Sequence, residues 1–350
     1  MASDRSDEYT TPLRHPEQHV SYEIDPDAPA DEGGLFGLPH APDDAAVVVL
    51  PVPFEATASS GHGTADAPPA VLEASYQVDL SDPETGEPWR QGIALADEAP
   101  WMRALDERCL GLAERARHGD AEALAEVNAA SDRVADHVEA FTSAILDDGR
   151  IPGILGGDHS VPLGAFRAAT ARYPGMGILH VDAHADLRVA YEGFTQSHAS
   201  IFYNALQLPG LEALVQVGLR DLGRKERALA AADDRVSWFT EQTLMAHEHS
   251  GRGFGELADA IVGCLPKHVW ISFDIDGLDP ALCPGTGTPV PGGLSWREAM
   301  GLLSALGRSG RHIVGFDLCE VGSTSWDANV GARLLYKLSG WALASQSEAS

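Results

Sequence analysis

Lysine is almost missing from this chain. Of its 24 basic residues only Lys225, Lys267 and Lys337 are lysines; the rest are arginine. They face 52 acidic residues, giving a formal net charge of −28. Phosphate binding relies on clustered Lys and Arg, so nucleic acid and anionic membrane are excluded as expected partners. The acids could draw in a cationic substrate, but they are spread along the whole chain. A solvated acidic surface, as in a protein working at high salt, is the better reading. Cysteine is also scarce. Cys109, Cys264, Cys283 and Cys319 form no CxxC pair, so neither a disulfide framework nor a zinc ribbon is expected. Cys264 and Cys319 lie beside apolar runs and are expected to be buried thiols. No apolar run reaches the length of a membrane span. The polar start, Met1 to Arg5, has no apolar segment of the kind that opens a secretion signal. A soluble, cytoplasmic protein is expected.

What is present suits an α/β enzyme. The 350 residues are 44% hydrophobic, with 36 Gly and 22 Pro, which allows a sizeable core and many loops. Residues 1–44, rich in Asp, Glu and Pro, are expected to form an extended surface arm. Apolar runs at Ala46–Leu50, Ile151–Leu155, Gly177–Val181, Leu214–Val217, Val236–Phe239, Val269–Phe273 and His312–Phe316 predict strands. Helices are predicted from Pro68, through 101–148 with a break at Gly119-Asp120, and over Val161–Arg172, Glu256–Cys264 and Trp296–Leu306. Residues 81–100 read as loop. Strands alternating with helices imply a parallel sheet covered on both faces. There is no internal repeat and no linker, so residues 45–350 are read as one domain.

In such a sheet, ligands bind beyond the carboxyl ends of the strands. Four predicted strands end in ligand-type residues. The first runs into Gly156-Gly157-Asp158-His159-Ser160, where the glycines allow a sharp turn and close backbone approach. The second runs into Asp182-Ala183-His184-Ala185-Asp186, whose three polar side chains share one face of extended backbone. The third ends in Asp274-Ile275-Asp276, and the fourth near Asp317 and Glu320. Taken alone, a GGDH turn or a DxD strand end is better read as turn or cap chemistry. Together they place two imidazoles and four carboxylates on one sheet edge: His159, Asp182, His184, Asp186, Asp274 and Asp276. Without a cation that arrangement is electrostatically poor. The mixed N/O set suits Mn²⁺ better than structural zinc, and six ligands suit two ions with bridging carboxylates.

These segments, with Ser272 to Gly293, resemble the ureohydrolases: arginase, agmatinase and their relatives. The resemblance covers residues 46 to 340. It implies a three-layer α/β/α fold around a parallel sheet of about eight strands, a homo-trimer or homo-hexamer, and a binuclear Mn²⁺ centre, with Ni²⁺ as the alternative. It assigns His159, Asp182, Asp186 and Asp274 to one ion, and Asp182, His184, Asp274 and Asp276 to the other. It also makes His198 the proton shuttle to the leaving amine and Glu320 the grip on the guanidinium, with Asp276 relaying a proton from the nucleophile. Phe54 to Thr57 and the glycine loop after it resemble the family's first active-site loop.

The implied reaction is hydrolysis of a guanidino compound to urea and an amine. Arginases carry Asn where this chain has Arg188, and Pro284 to Gly293 looks like the agmatinase branch. The segments 75–80, 191–194 and 326–333 resemble an agmatinase-like branch some of whose members hydrolyse guanidine itself. Agmatine is therefore the expected small cationic substrate, with guanidine and a guanidino acid or formimidoylglutamate as alternatives. Arg188 would hold a substrate carboxylate or pair with the acidic surface. A metal-binding or assembly protein without turnover is the non-enzyme alternative. It is disfavoured because all six ligands, His198 and Glu320 are kept.

Overall fold

The computed structural model describes residues 24–30 and 33–346. Eight strands run through the described residues: β1 Val47–Val52, β2 Ile93–Leu95, β3 Ile151–Gly156, β4 Met176–Val181, β5 Leu211–Leu219, β6 Val236–Thr240, β7 His268–Asp274 and β8 His312–Cys319. They form one sheet in the order β2-β1-β3-β8-β7-β4-β5-β6, with every pairing parallel. Strands β1, β3 and β4 are buried along their whole length. That is why they read as unbroken apolar runs rather than as alternating ones.

Helices cover both faces. α1 Ala67–Ser75, α8 Phe254–Gly263, α9 Trp296–Gly307 and α10 Ser325–Ala344 share one core with Leu179, Val181, Ile271 and Phe273 of the sheet. α2 Met102–Arg117, α3 Ala121–Asp147, α4 Leu163–Arg172 and α5 Ile201–Ala205 share another, with Ile154, Ile178, Leu214 and Trp270. Neighbouring strand residues feed opposite cores, as the two-residue period of a strand requires. The expected three-layer α/β/α architecture with eight strands is what the chain forms.

The break expected near Gly119 separates α2 from α3. Gly119 takes φ 95°, and the Asp120 carboxylate caps α3 by accepting from the backbone N–H of Glu122 and Ala123. Two elements carry no sequence signal of their own. β2 lies inside the segment read as loop, and its three residues are too short to show a period. α10 is buried almost all round, so its twenty residues lack a polar stripe that would reveal a helix. Three short helices, α5, α6 Arg224–Ala232 and α7 Glu241–His249, also lie outside the predicted helices.

Residues 1–23 and 31–32 of the expected N-terminal arm lie outside the described residues. Just before residue 45, however, Leu35, Phe36 and Leu38 are fully buried in the α10 core. The Phe36 ring packs edge-on to Tyr336 at 4.8 Å, and its N–H donates to Ser75 Oγ at 2.9 Å. This part of the segment is core, not surface. Cys264 also departs from expectation: it is exposed at the end of α8, whereas Cys319 is buried as expected.

α4 packs on α3 backbone to backbone. A Cβ at Gly164 would lie 1.9 Å from Ala135 O and 2.7 Å from Glu139 N. Backbone cannot swing aside as a side-chain tip can, so Gly164→Ala should cost about 3 kcal/mol, the upper end of ordinary overpacking. Chemical denaturation with Gly111→Ala as control, exposed on α2 with open space around its Cβ position, checks this; equal midpoints for both variants would refute it.

Candidate metal centre

The four motif-bearing strands are neighbours at the middle of the sheet. Leu155 of β3 is in register with Leu318 of β8, Leu318 with Phe273 of β7, and Phe273 with Val181 of β4. The residues that follow this row emerge at one height. Gly157 is where the close approach occurs: a Cβ there would lie 1.9 Å from Phe54 O. Asp186 and Glu320 both sit at positive φ, 52° and 60°, an uncommon conformation for residues with side chains and typical of functional sites.

All six expected ligands converge. His159 Nδ1 lies 3.2 Å from Asp182 Oδ2, 3.3 Å from Asp274 Oδ2 and 3.5 Å from Asp186 Oδ2. His184 Nδ1 lies 3.1 Å from Asp276 Oδ2 and 3.4 Å from Asp182 Oδ1. Asp182 thus turns one oxygen to each imidazole. Asp274 Oδ1 accepts from Asp276 N at 2.8 Å, and Asp276 Oδ1 accepts from Ala183 N at 3.0 Å.

Hydrogen-bond chemistry fixes which way His159 faces. Trp270 Nε1, a donor only, gives its proton to Asp317 Oδ2 at 2.7 Å. Ser272 Oγ donates to Asp317 Oδ1 at 2.8 Å, so it can only accept from His159 Nε2, 2.9 Å away. The other ring nitrogen, Nδ1, points at three carboxylates. Something positive must sit there.

The electrostatics agree. Burial, then Asp276 and Asp182, pushes the Asp274 carboxyl well above the usual carboxylate range. Burial, then Asp182, raises Asp186 to about 7. Burial lowers the His184 basicity, but Asp276 and Asp182 outweigh it and lift the group to about 12. Among the described residues no Lys or Arg pairs with any of these carboxylates; their ion-pair partners are imidazoles. The donor set is oxygen and imidazole nitrogen. Cys319 Sγ is nearby, but burial and then Asp317 hold it as a thiol. Such a set fits hard or borderline divalent cations.

His198 and Glu320 lie at the same edge. His198 N donates to Thr57 Oγ1 at 3.2 Å, its Nε2 lies 3.3 Å from Ser59 Oγ, and its ring meets Tyr191 edge-on. Burial pushes its basicity down. Glu320 Oε1 accepts from His159 N at 3.0 Å, and burial, then Asp274, raises its carboxyl well above the usual range. A cavity of about 390 Å³ opens over the cluster, lined by His184, Asp186 and His198 together with Arg188, Tyr191, Asp221 and Glu226. Arg188 is not a free cation there. Its Nε is 3.9 Å from Glu226 Oε2, and its guanidinium stacks 4.5 Å above the Tyr191 ring.

Several supporting residues emerge only from the structure. Asp158 accepts from Thr57 N and Oγ1 and so ties the first loop to the centre. Glu55 accepts from the N–H groups of Gly63, Thr64 and Ala65, ordering the glycine loop. Arg220 gathers the carbonyls of Asp276, Leu278 and Val290. His180 Nε2 lies 2.8 Å from Asp182 Oδ2, and this contact has a sequence signal. The i, i+2 spacing of Asp182, His184 and Asp186 extends back to His180.

The family model for the arginase family matches residues 45–340. An N(1)-aminopropylagmatine ureohydrolase of Thermus thermophilus is 37% identical over 289 residues, 82% of this chain and 86% of the relative. An agmatinase of Bacillus anthracis is 30% identical over 284 residues, 80% and 84% of the two chains. The solved agmatine ureohydrolase of Thermoplasma volcanium superposes with a TM-score of 0.68 at 26% identity, covering 87% of this chain and 92% of that one. With this likeness and a buried cluster fit for metal, the chain belongs to the arginase family and is a metal-dependent hydrolase of amidino carbon–nitrogen bonds.

Proposed function

We propose that this enzyme hydrolyses agmatine, or a closely similar guanidino amine, to urea and the free amine. The observation that carries the reading is Asp182, whose two oxygens face the ring nitrogens of His159 and His184. One cation would take His159, Asp182, Asp186 and Asp274; the other would take Asp182, His184, Asp274 and Asp276. The oxygen-rich set favours Mn²⁺, with Ni²⁺ as the alternative. Bound divalent cations supply Lewis acidity and lower the pKa of water toward about 7.

The chain's own groups do the rest. Glu320 presents a carboxylate oxygen beside Gly287, which lines the cavity, and accepts guanidinium N–H bonds there. A guanidinium also supplies the positive charge that this raised carboxyl lacks. Water adds its oxygen to the guanidinium carbon and the C–N bond to the tail breaks. Asp276 takes the first proton. His198, neutral through burial, takes that proton from Asp276 and delivers it to the departing amine nitrogen; the second proton of the water follows as the urea carbonyl forms, leaving both residues as they began. The products are urea and an ammonium.

The tail end supports an amine. Asp221 lines the cavity, and among the described ion pairs it has no cationic partner, while Arg188 already faces Glu226. A cationic tail fits that wall better than a carboxylate. The cavity also leaves room beyond a bare guanidinium. We place the enzyme in the cytoplasm as a homo-trimer or homo-hexamer, following the family resemblance.

Urea release should be highest with agmatine or aminopropylagmatine, and low with guanidine, 4-guanidinobutanoate and formimidoylglutamate. A panel run with Mn²⁺ or Ni²⁺ checks this; no urea from any member with either metal bound would sink the enzyme reading. His198→Asn should lower kcat by about 10²- to 10⁴-fold while metal content stays that of the wild type. Full activity in that variant would remove His198 from the reaction. Asp221→Asn should raise KM for agmatine about tenfold, the effect of losing roughly 1.4 kcal/mol of charge pairing, and leave guanidine turnover unmoved. Equal effects on both substrates would refute a tail-binding role.

A further inference from the structure

His180 has the position of a metal ligand: its nitrogen lies within ligand distance of the same group of atoms as His159, Asp182 and Asp186. A chain of hydrogen bonds behind it decides otherwise. Trp238, on the edge strand β6, donates its indole N–H to Gln216 Oε1 at 2.7 Å. An indole nitrogen can only donate, so the amide oxygen must face it. The Gln216 Nε2 group then points the opposite way, with two protons to place. One goes to Ala185 O at 2.8 Å, an acceptor only. The other reaches His180 Nδ1 at 2.8 Å. Trp238 holds the amide oxygen and Ala185 one amide proton, so the orientation rests on both contacts.

Facing an N–H donor, His180 Nδ1 must accept, so the ring proton is carried by Nε2. That N–H points at Asp182 Oδ2, 2.8 Å away, and the ring lies parallel to within 34° against Phe202 at 3.9 Å between centroids. We infer that His180 is a positioning residue and not a ligand: Trp238 and Gln216 lock its Nε2–H tautomer, which holds the bridging carboxylate of Asp182 in the orientation that serves both cation positions. The inference rests on the metal assignment under Proposed function.

The same device acts on His159 with the opposite result. There the donor-only Trp270, through Asp317 and Ser272, puts a ring proton on Nε2 and turns Nδ1 toward the carboxylates, where a bound cation would take it as a ligand. Two chains, each ending on a tryptophan, thus divide two adjacent buried imidazoles into one ligand and one donor.

The test uses the intact protein and two readouts other than turnover. Metal-free protein labelled with ¹⁵N at histidine should give His180 a pyridine-type Nδ1 and a pyrrole-type Nε2 resonance, identified by their absence from His180→Gln. Trp238→Phe, at a half-buried edge position, should replace that single pattern by an averaged one. Titration with Mn²⁺ alone, followed by calorimetry, should show His180→Phe binding about 10- to 100-fold more weakly, the usual cost of losing such an outer partner, while His180→Gln, which keeps an N–H donor, stays within about threefold of wild type. A proton on Nδ1 of His180, or unchanged affinity in His180→Phe beside a binding wild type, overturns the inference. If His180→Phe does not fold, Trp238→Phe decides, and an unchanged tautomer pattern there overturns it. Wild-type protein that binds no Mn²⁺ sinks the metal assignment beneath it as well; a binding wild type with unchanged variants sinks this inference alone.

Discussion

Everything at the carboxyl edge of this sheet is arranged around anionic oxygens that are buried beside one another. Ligand atoms of Asp182 and Asp276 lie within 4.8 Å, with only imidazoles as ionic partners. Two unit charges at that separation repel by roughly 3–4 kcal/mol at the effective dielectric constant of about 20 that suits protein sites. Desolvation acts on each carboxylate in addition. Among the described residues no arginine is brought in to relieve this, although arginine is plentiful in the chain. The nearby guanidiniums are committed elsewhere: Arg220 binds carbonyl oxygens, and Arg188 faces Glu226. The fold therefore leaves the compensating charge to something that can leave and return, which is the condition for a metal centre and a cationic substrate to share one pocket.

The same constraint governs how much is legible in the sequence. An aspartate on a turn is ordinary, but Asp182, His184 and Asp186 at alternate positions directly after one strand are not, so the motifs announce a cation site without any knowledge of the fold; the extended run itself ends at Val181, and Asp186 reaches the cluster from positive φ. The sheet then adds what the spacing cannot: β3, β8, β7 and β4 are adjacent, with Leu155, Leu318, Phe273 and Val181 in one register row, so four separate motifs become one site. Buried strands are readable because a short apolar run bounded by turn residues has little else it can form in an α/β chain. β2 and α10 are not, one being too short for a period and the other too buried for a stripe. Leu35, Phe36 and Leu38 are obscured by the acids and prolines around them, since composition averages over a window and packing does not.

The supporting layer is the least legible, for a physical reason. Ser272 and Gln216 carry no signal of their own, and Asp317 reads only as one more strand-end acid; they matter through the limited number of protons each can give or take. A serine with one proton, placed between a carboxylate and an imidazole, must accept from the imidazole. Such logic exists only once neighbours are known. It gives the centre a property that a set of ligands lacks: the ring orientations are set from behind, by groups that never touch substrate. His180 is the exception. It continues the alternation one step before Asp182, and taken without its partners it would be counted a seventh ligand.

The two ends of the cavity differ in the same way. The reacting end is built from strand termini, where register fixes positions to within a residue. The tail end is built from the loops that carry Arg188, Tyr191 and Asp221 and from Glu226 in the first turn of α6. Loops can change sequence and length without disturbing the sheet. A guanidinium carbon must always meet the same charges, whereas the group attached to it can differ between enzymes that share this sheet. Selectivity for the tail is therefore free to vary on a constant centre, and a residue such as Arg188 has no fixed meaning until its partner is known. Opposite a carboxylate-free wall it would be an acid receptor; against Glu226 and stacked on Tyr191 it is part of the wall, and under the proposed function Asp221 would be the open charge left to meet the tail.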